Sequence, residues 1–176
     1  MSDNAAPPAS SSPPDTAPAA KWKPALLIVA IVVLASALTD LPGAFYDYEH
    51  DTTLLVVAQW LTTIGLLIAP VLAAAALFLV LRDRLVRAID VLAAIILVDW
   101  LFELPSIAIH GLELSWDIGG ITAFVHYFVK PVIAVAAIVL SRRGRLGAAT
   151  LLVALPTIVS WLGVLAFAVG VMIYGF

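Results

Sequence analysis

From Thr53 to Leu81, and again from Leu146 to Phe176, the chain carries no Asp, Glu, Lys, Arg or His. Apolar runs of that length leave few folds open. A helix rising about 1.5 Å per residue crosses the hydrocarbon of a bilayer in about 20 residues, so either run is long enough to span. A soluble domain of 176 residues that is 63% hydrophobic and 12% charged could not hide so much apolar surface. Lipid is the expected solvent, and the expected class is an all-α, polytopic membrane protein.

Five apolar segments are legible, at about 24–45, 53–81, 88–110, 118–141 and 146–175. They predict a single five-helix transmembrane domain over 24–176. The first 23 residues read as a disordered tail, since residues 1–20 are mostly Pro, Ala and Ser and cannot offset ordering entropy. The connections alternate in charge. RDRLVR (82–87) and SRRGR (141–145) are basic, whereas FYDYEHD (45–51) and HGLELSWD (110–117) are acidic. The positive-inside rule then sets the tail and the basic turns in the cytoplasm and the C-terminus outside, as for a multi-pass protein of a bacterial inner membrane. Eight of the nine Lys/Arg residues obey it, and the ninth, Lys130, lies inside a segment.

Segment one has a competing reading as a signal peptide, because Lys21–Lys23, an apolar core and Ala35-Ser36-Ala37 mimic a leader cut after Ala37. An internal repeat favours retention. AIVVLASALTDLPG (30–43) lies over AAIILVDWLFELPS (93–106), and PVLAAAALFLVLRDR (70–84) over PVIAVAAIVLSRRGR (131–145). Two similar hairpins plus one helix are expected.

The absence of cysteine excludes thiol nucleophiles and Cys-ligated metals. The basic residues are too few, and too tied to apolar runs, for nucleic acid. What remains is a polar ladder. Asp99, Glu103, Ser106 and His110 share one face of segment three; Thr122, His126 and Lys130 share one face of segment four. A hairpin turning near residue 114 sets Asp99 opposite Lys130, Glu103 opposite His126 and Ser106 opposite Thr122. Asp99 lies twelve residues beyond Arg87, and Lys130 twelve before Arg142, each ~18 Å along a helix. Ionisable groups at that depth are costly and mark function, or they clasp two helices together.

Pro70, Pro131 and Pro156 lie at similar depths and are read as helix-breaking positions, each freeing a carbonyl that could mark a transport site, although simple kinking is the preferred account. Outside the bilayer, His50 with Asp47, Glu49 and Asp51, joined by His110, Glu113 and Asp117, offers ligands to a divalent cation, although solvated loop charge is the simpler account and is preferred. Haem between His110 and His126 is disfavoured by their difference in depth, and no motif makes Ser160 a nucleophile. No cofactor is expected. Ser160, Gly163, Ala166 and Gly170 form a stripe on segment five suited to self-association or to other membrane subunits. The reading is a non-enzymatic membrane protein that moves or senses protons or small cations. The alternative is a structural or assembly subunit of a membrane complex.

Overall fold

The computed structural model describes residues 21–45, 53–110 and 124–175, and every element among them is helical. Five α-helices run in order: α1 Lys23–Asp40, α2 Thr53–Leu81, α3 Leu85–His110, α4 Lys130–Arg142 and α5 Leu146–Tyr174. A 3-10 turn, Leu41–Phe45, extends α1, and a π turn, Val125–Val129, leads into α4. Three stretches are long and apolar enough to cross a membrane: Lys23–Phe45, Leu55–Leu81 and Leu146–Tyr174. The other two helices differ for plain reasons. Arg87, Asp90, Asp99 and Glu103 interrupt α3, and α4 has only 13 residues. The tail 1–20, the loop 46–52 and residues 111–123 lie outside the described residues, as do the calls that fall on them.

Local sequence sets the helix ends. Pro24 opens α1, where its missing N–H costs nothing. α3 starts at Leu85 rather than at residue 88, because the preceding turn is tight. Asp83, with φ 58°, takes the left-handed conformation that ends α2, and Gly144, with φ 75°, does the same after α4. The two turns share one hydrogen-bond pattern. Asp83 N–H donates to Val80 C=O and Arg84 N–H to Leu79 C=O; Gly144 N–H donates to Ser141 C=O and Arg145 N–H to Leu140 C=O. Glycine suits that conformation without cost, whereas an L-residue loses about 1–2 kcal/mol. A Cβ on Gly144 would meet nothing within 4 Å, so only backbone strain is at stake. Gly144→Ala should therefore cost about 1 kcal/mol, read as a lower unfolding midpoint in detergent.

Helix α1 lies against α2 and α5, α3 lies between α2 and α4, and α4 lies against α5. The core occupies only one half of this bundle. Its buried positions are Leu26 and Ala30 on α1, Ala73, Ala76 and Val80 on α2, Leu85, Ala88, Ile89, Leu92, Ala93 and Ile96 on α3, Ala134 and Ala137 on α4, and Ala149, Val153 and Ala154 on α5. All lie in the half next to the basic turns. Alanines predominate there because small side chains let helices approach closely. A chain cut after Ala37 would lose Leu26 and Ala30 from this core. The same end is fastened from the N-terminal side. Lys23 pairs with Asp83 at 2.6 Å. The Trp22 indole rests so closely on Gly147 that a Cβ there would fall inside the ring.

In the other half packing is looser. On α5 every residue from Ile158 to Phe167 is exposed. Gly163 and Gly170 would each carry a Cβ with nothing within 4 Å, so among the described residues nothing covers the Ser160–Gly170 stripe.

Candidate functional site

The structure places the ionisable residues of α3 and α4 at the boundary between the packed half and the open half. Among the described side chains Ile96 is the last buried one on α3, and Asp99 follows one turn later. Ala134 is the first buried residue on α4, and Lys130 precedes it by one turn. Lys130 Nζ lies 2.7 Å from Asp99 Oδ2. It also lies 3.3 Å from Glu103 Oε1 and 3.4 Å from Glu103 Oε2. One ammonium thus bridges two carboxylates. They stand four residues apart on one helix, so their side chains project from the same face and converge on one donor.

Counting residues along an antiparallel hairpin assigns Glu103 to His126, whose side chain lies outside the described part; Glu103 also bonds Lys130. The flexible lysine stem reaches one turn beyond the level of its own Cα, which residue counting does not capture. The side chains of His126, Ser106 and His110 lie outside the described part, as does Thr122. The three described side chains differ in shelter. Lys130 is 16% exposed, Glu103 31% and Asp99 56%. The cation is enclosed, and the carboxylate nearest to it opens onto the surface of the bundle.

A second fastening lies beside the first. Pro131 has no N–H, so the carbonyl four residues earlier, on Tyr127, loses its usual i+4 donor; the ring also crowds that carbonyl. The chain responds by widening. Residues Val125–Val129 form a π turn, closed by Lys130 N–H donating to Val125 C=O five residues back. The Tyr127 carbonyl then accepts a 2.9 Å hydrogen bond from Trp100 Nε1 on α3. Trp100 escapes a search for ionisable ladders, and its signal in the sequence is indirect, the residue four before Pro131.

The other prolines behave differently. α2 runs through Pro70 and α5 through Pro156 as continuous helices, and Pro105 lies inside α3 in the same way. These positions are therefore not breaks. A single missing N–H costs one hydrogen bond, and the surrounding turns persist. Among the described residues no group of three or more His, Asp or Glu could hold a metal ion. The outer-loop candidates His50, Asp47, Asp51, Glu113 and Asp117 lie outside the described residues.

Near the basic end, Asp90 Oδ2 lies 3.5 Å from Arg142. Asp90 Oδ1 and Thr150 Oγ1 are buried with no hydrogen-bond partner among the described residues.

No family model, curated protein or solved structure matches this chain.

Proposed function

We propose that this chain is a non-enzymatic, five-span membrane protein whose Asp99–Lys130–Glu103 cluster takes up and releases a proton or a small cation. The observation that carries the reading is one ammonium shared by two carboxylates at mid-span. Such groups are expensive in lipid and are kept where they serve transport, sensing or assembly. In the reading, α3 and α4 form the second of two similar hairpins. The tail and the basic turns lie in the cytoplasm and Phe176 outside, and the host is the cell membrane, as in bacteria. The acidic outer loops favour a proton-linked role, because they raise the local cation concentration.

The test is flux in proteoliposomes. Under an imposed gradient of protons, sodium or potassium, the wild type should exceed empty vesicles for one of the three. Asp99→Asn and Glu103→Gln should each remove most of the excess. Wild-type flux equal to that of empty vesicles for all three ions would overturn the transport reading.

A second reading is a subunit of a membrane assembly. It is favoured by the exposure of α5 from Ile158 to Phe167, which presents a whole helical surface with no protein cover.

A further inference from the structure

We infer that the basic end of the bundle binds the headgroups of anionic phospholipids through the arginines of its two short turns. The inference goes beyond the proposed function and needs neither the Lys130 cluster nor a particular orientation of the chain. Eight of the nine Lys/Arg residues lie at this end, and printed contacts set them on one surface. Lys23 reaches Asp83 in the turn after α2, and beside it the Trp22 indole rests on Gly147 at the start of α5. The end of α4 is drawn to the same place by Arg142, which lies 3.5 Å from Asp90 on α3.

Asp83 and Asp90 are the acidic residues at this end among the described residues, and each already has its cation. No described carboxylate pairs with Arg82, Arg84, Arg87, Arg143 or Arg145, and all five are exposed. The described chain leaves their positive charge without a neutralising partner. Two of them occupy equivalent places. Arg84 and Arg145 immediately precede α3 and α5, and neither helix has an acid in its first turn. A cationic side chain there meets the positive end of the helix dipole, an unfavourable placement that an anion lying over it reverses.

Location decides the occupant. The apolar stretches Lys23–Phe45, Leu55–Leu81 and Leu146–Tyr174 each have one end here, so the cations stand where hydrocarbon gives way to headgroups. Arg82 turns back over the exposed Phe78 ring, 5.0 Å from its centre, which holds the guanidinium against the apolar flank of α2. An arginine fork matches the oxygens of a phosphodiester, and a lipid brings that group to this level together with its own apolar chains. The positive-inside rule accounts for the side of the membrane on which such residues stay; it does not select a lipid.

The full chain, immobilised in neutral maltoside micelles, tests this when offered equal amounts of dioleoylphosphatidylglycerol and dioleoylphosphatidylcholine. The lipid retained after washing is measured by chromatography. Phosphatidylglycerol should be retained at least about tenfold over phosphatidylcholine at low salt. The preference should fall steeply between about 0.05 and 0.5 M sodium chloride, as screening removes the attraction. Combining Arg82→Gln, Arg84→Gln, Arg143→Gln and Arg145→Gln should remove most of the preference, and the same four positions changed to Lys should keep one. The salt series needs no substitution, so a folding defect in the glutamine variant leaves the inference testable. Equal retention of the two lipids by the wild type would overturn it, as would a preference indifferent to salt or to the four glutamines. Displacement of the lipid at constant ionic strength by millimolar inorganic phosphate, or by an oligo-aspartate peptide, would also overturn it, by assigning the patch to a free anion or an acidic protein. Micelles carry no ion gradient, so this result and the flux result stand or fall separately.

Discussion

Lys130→Met should be more damaging than either single substitution of its acidic partners. It removes the one ammonium that both Asp99 Oδ2 and the Glu103 carboxylate approach, and so leaves two carboxylates side by side on α3. A single unpaired charge at the centre of a membrane helix costs about 2.5–3.5 kcal/mol on insertion scales, and two like charges at close range cost more. Asp99→Asn is milder, because Glu103 still holds the lysine. The yield of monodisperse protein from membranes should therefore fall in the order wild type, Asp99→Asn, Lys130→Met. Pairing Asp99→Asn with Lys130→Met still leaves Glu103 charged and should recover little. Adding Glu103→Gln makes the cluster neutral, and this triple variant should recover most of the yield, since replacing a buried ionic group costs less than breaking it. A triple variant as poor as Lys130→Met would show that the three side chains do not act as one unit.

The second large effect concerns the Tyr127 carbonyl. Trp100→Phe keeps an aromatic ring against α4 but removes the indole N–H that donates to that part-buried oxygen, which should cost about 1–3 kcal/mol. Pro131→Ala should restore a backbone N–H at the position that normally serves it. In the Pro131→Ala background, Trp100→Phe should then cost under about 1 kcal/mol. Thermal unfolding of the four proteins in one detergent measures the coupling. Simple additivity would mean that Trp100 matters through ring packing and that its hydrogen bond contributes little.

Much of this arrangement was written in plain residue spacing. The charge-free runs 53–81 and 146–176 announce membrane helices because no soluble core could absorb them. Equal distances from Arg87 and Arg142 put Asp99 and Lys130 at one level, and the ammonium does sit on that carboxylate. Other features depend on reach and local backbone, which spacing does not encode. Glu103 shares Lys130 because a four-carbon stem extends past its own turn. Trp100 finds Tyr127 because Pro131 displaces a carbonyl sideways and a long indole can follow it. The same rule overstates Pro70 and Pro156, where the helix continues despite the lost donor. The one-sided core was also not legible, since alanines are distributed along all five segments and only packing tells which are enclosed.

The lock between Trp22 and Gly147 has a consequence for how the protein is made. Trp22 is among the first residues of the described structure to leave the ribosome, and Gly147 belongs to the last helix. During synthesis α1 enters the membrane long before its seat exists. Until α5 arrives, α1 has only α2 and the Lys23–Asp83 contact to hold it. Among the described helices, the bundle is thus completed only when α5 meets α1. A ribosome stalled before residue 147 would leave the first helix held by α2 and the Lys23–Asp83 pair alone, without its seat on Gly147.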